Sequence, residues 1–300
     1  MVNLPLGVDI SNLIDDLRDL SWESADILLY YSKMLKDSNK SNEIIKTNFS
    51  DDPVTVADLS VNELVLRKMH NKYPNIKWNY LSEENVKSKI NYFENSSEWI
   101  WVLDPLDGTK DFIQGTKDYA MHFALNYRNK PYLGVVLIPE RDELWIANGD
   151  KVWCENRSRR IKKFNLSNEY SLNKMTLVTS KNHSNKALKE LIDVIPFKNI
   201  IVMGSIGCKI SSILRGESDI YISLSLPTQS SPKDWDFAGP EVILITQGGS
   251  ITDINNIPLS YNNSGFEQKG LIVASNNKSK HKGICDQIKE IIQKHQIFPL

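Results

Sequence analysis

The chain has 300 residues, is 41% hydrophobic and carries a formal net charge of −1. That length suits one large domain or two moderate ones sharing a cleft, and the composition is that of a globular protein able to bury a core. The near-zero charge excludes a global basic field of the kind that draws nucleic-acid polymers, and no apolar run approaches the length needed to span a bilayer.

The N-terminal stretch has no basic start followed by a long apolar run and already contains Asp9, Asp15 and Asp16, so no secretory leader is expected. Residues 11–36 read as a helix, with Ser11 as its N-cap and an apolar stripe through Leu13, Leu17, Leu20, Leu28 and Leu35. Residues 55–70 read as a second helix. Asp58 falls in its first turn, where the positive helix end favours a carboxylate. Strands are expected at 77–82, 99–103, 119–127, 132–139, 143–148 and 151–155, the last two joined by a tight hairpin at Asn148-Gly149-Asp150. The basic run Arg157-Ser158-Arg159-Arg160-Ile161-Lys162-Lys163 reads as a charged, solvated hairpin edge that discourages pairing between molecules.

Beyond about residue 170 the rhythm changes. Strands at 175–179, 199–203, 219–224 and 270–275 alternate with helices at 184–194, 206–216 and 236–247, and a helix at 279–294 closes the chain. The strand-rich first half is of α+β type and the alternating second half of α/β type. A polar link at 164–173 divides them into expected domains 1–168 and 169–300. Cys154, Cys208 and Cys285 lie far apart without C-x-x-C spacing, which fits packed thiols in a reducing compartment. The expected location is the cytoplasm.

The chemistry concentrates in Asp104-Pro105-Leu106-Asp107-Gly108-Thr109. The preceding apolar run reads as a buried strand, so the strand delivers two carboxylates and a turn together. The Leu106 carbonyl is left free beside them, and all-oxygen donors of this kind suit Mg²⁺. Gly108-Thr109 opens a short helix, whose free N–H groups favour phosphate. Further carboxylates are available at Asp58, at Glu83 and Glu84 after a strand, and at Asp236, which also reads as the N-cap of helix 237–247. His70, His122, His281 and His295 have no metal-ligand spacing and read as surface or packed histidines.

Four parts recur in order: Asp52-Pro53-Val54-Thr55-Val56-Ala57-Asp58, the Glu83-Glu84 pair, the core hexapeptide, and Trp235-Asp236 followed by Gly248-Gly249. Over residues 40–275 this set resembles the inositol monophosphatase superfamily of Mg²⁺-dependent, lithium-sensitive phosphatases. The resemblance implies a layered α-β-α-β-α sandwich of the inositol monophosphatase/fructose-1,6-bisphosphatase type, with a metal site in the cleft between its halves. It implies two or three Mg²⁺ ions, with Mn²⁺ as a substitute. Glu83, Asp104 and the Leu106 carbonyl would hold the first, and Asp104, Asp107 and Asp236 the second. Glu83 and sometimes Asp58 would touch a third. Glu84 would orient ligands. Thr109 would orient the attacking water while Asp58 accepts its hydroxyl proton, and the Gly108 and Thr109 N–H groups would hold the phosphate. The implied partner is a small phosphate ester, and homodimers are common in the family.

Within that family several segments resemble the 3′(2′),5′-bisphosphate nucleotidases, particularly the bacterial CysQ type. These are residues 104–114, Leu81-Ser82-Glu83-Glu84 and Ser180-Lys181-Asn182-His183, while Gly239-Pro240-Glu241-Val242-Ile243-Leu244 resembles the A-P-E-V-I-L of animal nucleotidases. Ser223 stands where inositol monophosphatases carry a Glu that binds inositol hydroxyls. Lys181 replaces the Arg of the S-R-S-H pattern, and the segment before Trp235 is longer than in typical bacterial members. The resemblance implies removal of the 3′-phosphate of adenosine 3′,5′-bisphosphate (PAP), extending to PAPS. Gly108, Thr109, His183, Gly207, Lys209 and Asp236 would contact substrate, with Lys209 or Lys233 near the second phosphate. The alternatives are an inositol monophosphatase or other sugar-phosphate phosphatase, and a non-catalytic nucleotide- or metal-binding relative.

Overall fold

The first helix, α1 (Ile10–Leu35), buries Leu13, Leu17, Leu20, Ala25 and Leu28 along one stripe. Each large aliphatic side chain contributes roughly 1.5–3 kcal/mol on leaving water. The helix begins before the expected Ser11 cap. Asp9 is the N-cap, and its carboxylate accepts from the Asn12 N–H at 2.9 Å. A carboxylate there caps a free N–H and also meets the positive helix end. In this computed structural model the described residues are 4–36, 41–47, 53–89, 97–164, 169–181, 185–227 and 229–299.

After α2 (Ser41–Ile44), the short strands β1 (Ile45–Thr47) and β2 (Val54–Thr55) pair and lead into α3 (Val56–Lys72). A seven-stranded sheet follows, in sequence order: β3 (Asn79–Ser82), β4 (Trp99–Asp107), β5 (Ala120–Tyr127), β6 (Lys130–Ile138), β7 (Glu143–Ala147), β8 (Val152–Glu155) and β9 (Ile161–Lys162). The β3–β4 pair is parallel and the other neighbours are antiparallel. Two short helices sit at strand ends, α4 (Glu83–Lys87) after β3 and α5 (Thr109–Ile113) after β4. β4 runs further than the expected 99–103. Its ladder with β5 shifts register between Asp104↔His122 and Asp107↔Ala120, so β4 holds one extra residue there. Pro105, which has no N–H to donate, is tolerated at such a bulge.

The second half contributes β10 (Thr176–Ser180), α6 (Lys186–Val194), β11 (Asn199–Met203), α7 (Ile206–Leu214), β12 (Ile220–Ser225), α8 (Asp234–Thr246), β13 (Ser250–Asp253), β14 (Gly270–Ser275) and α9 (Lys278–His295). Its five-stranded sheet has the order β11-β10-β12-β14-β13. The first three strands are parallel, and β14 is antiparallel to both β12 and β13. β13, four residues directly after Gly248-Gly249, was not among the expected strands.

Three cores define five layers. The first joins α1 and α3 to Trp101, Leu103, Phe123 and Leu125 on the outer face of the seven-stranded sheet. The second places α7 and α8 between the sheets. There Ile210, Ile213, Phe237 and Val242 meet Val102, Ala124 and Val136 on one side and Val178, Tyr221 and Ala274 on the other. The third joins α6 and α9 to Leu177, Ile222 and Val273. The implied α-β-α-β-α sandwich is therefore the observed architecture. Period-two alternation sends Trp101 and Val102, or Tyr221 and Ile222, to opposite cores, so strands buried on both faces read as continuous apolar runs. α8 lies close to β6, where a Cβ at Gly239 would come within 3.1 Å of the Val135 carbonyl.

The expected link at 164–173 falls partly on residues 165–168, outside the described ones. The basic run is more than a solvated edge, because it meets the acidic face of α1. Arg157 pairs with Asp26 at 2.7 Å and covers the Trp22 ring, Arg159 lies 3.5 Å from Asp15, and Lys162 lies 3.5 Å from Glu143. The three cysteines are buried free thiols. Among the described residues no helix is long and apolar enough to cross a membrane.

α8 also carries the enclosed Glu241, which accepts from the Tyr261 hydroxyl. Burial pushes its carboxyl from 4.5 up to about 8. The native state thus holds this proton more tightly than the unfolded chain. The associated stability is fully present below about pH 4.5 and is lost as pH rises toward 8. Glu241→Gln should therefore melt above wild type at pH 8.5 and no higher than wild type at pH 5 in calorimetry. An equal offset at both pH values would show that this carboxyl does not carry the dependence.

Candidate active site

Thr55 caps α3, and Asp58 closes a capping box with it. Asp58 Oδ2 accepts from the Thr55 N–H at 2.8 Å and from the Thr55 hydroxyl. Its Oδ1 accepts from the Thr109 hydroxyl at 3.2 Å. Burial, partly offset by the Thr55 hydrogen bonds and reinforced by Glu83, raises the Asp58 carboxyl to about 7. The Thr109 hydroxyl also lies 2.9 Å from the Leu106 carbonyl. Its single proton is thus divided between two acceptors.

Parallel pairing of Ser82 with Leu103 brings the start of α4 beside the end of β4. Glu83 is consequently hydrogen-bonded to Asp104 and lies 2.9 Å from Lys87. Lys87 also reaches the buried Glu84 at 3.5 Å. Burial lifts the Glu84 carboxyl to about 8.

Asp104, Asp107 and Asp236 arrive from the end of β4 and the first turn of α8. One oxygen from each lies within 4.8 Å of the others. Asp104 Oδ1 accepts from the Leu106 N–H at 3.0 Å. Asp236 is the third residue of α8, not its N-cap. The helix starts two residues earlier than expected, Lys233 is the cap, and Asp236 Oδ2 folds back onto the Lys233 N–H. Burial first, and then the neighbouring carboxylates, hold Asp104 and Asp236 well above the ordinary carboxyl range. Asp107 goes the other way. Burial pushes it up, but His122, the Ser205 hydroxyl and Lys209 outweigh this and lower it. Its Oδ2 accepts from Ser205 Oγ at 2.6 Å and from the Gly207 N–H at 2.9 Å, with His122 Nε2 at 3.2 Å.

Three carboxylates this close, two buried and one half-buried, repel one another unless protons or a cation intervene. The cluster's donor set is oxygen only, three carboxylates. It fits a hard divalent cation better than zinc, which favours nitrogen and sulfur.

The expected substrate residues are placed less uniformly. Gly108 is the N-cap of α5 with φ +89°, and a Cβ there would lie 2.8 Å from the Asp118 carbonyl, so glycine is required. Gly207 spends its N–H on Asp107. Lys209 is 1% exposed, donates to the Gly204 carbonyl at 2.7 Å and lies over the Tyr221 ring. It is enclosed behind the carboxylates as a counter-charge. Lys233 is paired with Glu267 at 3.0 Å. Lys181 reaches across to α5, 3.0 Å from Gln114 Oε1 and 3.4 Å from Asp111. His183 lies outside the described residues. Ser223 is nearly buried in β12, opposite Ile272. Ser205 and His122 were missed as parts of the site. Ser205 carried a signal as the residue before a helix, and His122 carried only its inward strand position.

Comparison with known proteins gives this geometry a context. A 3′(2′),5′-bisphosphate nucleotidase CysQ of Haemophilus influenzae is 29% identical over 210 residues, which is 70% of this chain and 75% of the relative. The CysQ nucleotidase of Buchnera aphidicola is 29% identical over 243 residues, 77% of this chain and 86% of its own. Among solved structures, the Thermotoga maritima IMPase superposes with a TM-score of 0.71 at 18% identity, covering 94% of this chain and 99% of that one. The inositol monophosphatase of Anabaena gives 0.70 at 21% identity, covering 94% and 97%. At those identities the likeness to the solved structures concerns the fold. The model of the inositol monophosphatase family matches residues 11–293, nearly the whole length. A sandwich of this layering, with an oxygen-only carboxylate cluster where its two halves meet, is what a metal-dependent phosphatase of that kind requires, and the chain belongs to the inositol monophosphatase family.

Proposed function

We propose that the protein is a Mg²⁺-dependent phosphomonoesterase that removes the 3′-phosphate of PAP, and also of PAPS, to give AMP from PAP. The observation that carries the hydrolytic reading is the Asp104–Asp107–Asp236 cluster beside the Asp58–Thr109 hydrogen bond. Two or three Mg²⁺ ions, or Mn²⁺ in their place, would be held by Glu83, Asp104, the Leu106 carbonyl, Asp107 and Asp236. When bound, they supply charge neutralisation and a water of lowered pKa.

The chain's own residues do the rest. Thr109 Oγ1 accepts a hydrogen bond from the attacking water and directs its own proton to Asp58 Oδ1. Asp58, with its carboxyl near 7, is suited to hold a proton at neutral pH. Gly108 and Thr109 present backbone N–H groups to the phosphate oxygens. Lys209 adds positive charge felt by Asp107 and Asp236. The relatives named CysQ, together with Ser223 in place of an acidic polyol acceptor, favour the nucleotide over inositol phosphates.

The test is competition kinetics with PAP, 3′-AMP and inositol 1-phosphate, in Mg²⁺ and in EDTA. PAP should be turned over with much higher kcat/KM than inositol 1-phosphate. Offering 3′-AMP removes one charge-assisted contact, about 1.5–3 kcal/mol, and should lower kcat/KM by roughly one to two orders of magnitude. Equal turnover of PAP and inositol 1-phosphate would favour an inositol monophosphatase. No phosphate release from any of them in Mg²⁺ would favour a non-catalytic binding relative.

A further inference from the structure

His122, on β5, stands opposite Asp104 in the β4–β5 ladder and is fully buried. Its Nε2 lies 3.2 Å from Asp107 Oδ2, off the line of a regular hydrogen bond. On the other side of the ring, Nδ1 lies 3.3 Å from the carbonyl oxygen of Trp235, the residue just before Asp236. The imidazole thus spans the two pieces of chain that carry the carboxylate cluster. Its slot is made by glycines. A Cβ at Gly207 would fall 2.2 Å from Nε2, and one at Gly239 would fall 3.2 Å from the His122 Cβ. Helices α7 and α8 can close on the ring because those positions have no side chain.

Asp107 Oδ2 already accepts from Ser205 and Gly207. With His122 beside it, that oxygen is committed to the protein, and Oδ1 is left for the cluster. We propose that His122 is a positioning residue for the metal site. It fixes the orientation of Asp107 and the separation between the β4 bulge and the first turn of α8, so that Asp107 and Asp236 meet a cation at a set spacing. The inference rests on the metal reading given under the proposed function. Groups that hold a ligand from behind typically change metal affinity by about 10–100-fold when removed.

Calorimetric titration with Mg²⁺ of wild type, His122→Gln and His122→Leu tests this, with melting temperatures measured in EDTA. Gln keeps an N–H donor at about the reach of Nε2, and Leu fills the slot without one. The Leu variant should bind Mg²⁺ about 10–100-fold more weakly, and the Gln variant should recover much of that loss. The two should melt alike in EDTA. Absence of Mg²⁺ binding by wild type would remove the metal reading itself. Binding by wild type, with the Leu variant within about threefold of it or with Gln and Leu weakened equally, would overturn only the role of His122.

A second arm stays readable if the Leu variant does not fold. Gly207→Ala inserts a methyl that must displace the ring, whereas in a His122→Ala background that clash is gone and only the 3.0 Å approach to Ala120 Cβ remains. The two substitutions should therefore be strongly non-additive in Mg²⁺ affinity. Additive effects would overturn the inference.

Discussion

Asp104→Asn should lower phosphate release by several orders of magnitude and leave the fold intact. Asp104 is 1% exposed and central to the cluster. It is hydrogen-bonded to Glu83, accepts from the Leu106 N–H, and lies within reach of Asp107 and Asp236. In the proposed site Asp104 would serve as a ligand to two cations, so the amide would remove a charge from both at once. Asn is nearly isosteric and can keep the Leu106 hydrogen bond. It also relieves repulsion that burial and the neighbouring carboxylates impose on Asp104, so without metal the variant should melt no lower than wild type. Phosphate release at saturating Mg²⁺, with melting in EDTA, checks both halves. Retention of more than about a tenth of wild-type activity, a barrier change of roughly 1.4 kcal/mol or less, would refute the bridging assignment.

Metal-dependent stability should be strongly pH-dependent, with a definite sign. Burial raises Asp58 to about 7 and Glu84 to about 8, and holds Asp104 and Asp236 well above their ordinary values. Each folded value exceeds the unfolded one. Without metal, the stability they carry is present below about pH 4 and is lost as pH rises toward 7–8. A divalent cation needs the ionised forms, so its stabilisation grows over the same window. In EDTA the melting temperature should fall by about 5–10 °C between pH 5 and pH 8. Saturating Mg²⁺ should reduce that fall, making the gap between the two curves widest at pH 8. Glu241 contributes to the EDTA curve but not to the gap. A gap that is widest at pH 5, or no gap, would remove the cluster as the metal site.

Much of this arrangement was legible in the sequence because its chemistry is local. Asp104, Leu106, Asp107, Gly108 and Thr109 are nearly contiguous, and Asp58, Glu83 and Asp236 each lie beside an element boundary that composition marks. The alternating second half showed its α/β character through strand and helix periodicity. What escaped depends on contacts distant in sequence. His122 is one residue of an apolar strand, and only the convergence of α7 and α8 through Gly207 and Gly239 makes it a neighbour of Asp107. Arg157 and Arg159 of the basic run find their partners on α1, more than a hundred residues away. The caps of α1 and α8 were misplaced by two residues or more because several polar residues compete at each start, and side-chain reach decides between them.

The extra residue in β4 bears on which genetic changes this protein can tolerate. In a regular strand, positions three apart face opposite ways. The bulge between Asp104 and Asp107 brings their carboxylates to one side. Chain length across this stretch therefore matters more than the side chains of Pro105 and Leu106. Another apolar residue in place of Leu106 keeps the carbonyl donor and fills the same core. A one-codon insertion or deletion changes the phase of everything downstream and turns the Thr109 hydroxyl away from Asp58. In a library of random variants, substitutions at 105 and 106 should survive selection for activity far more often than in-frame length changes at the same two positions.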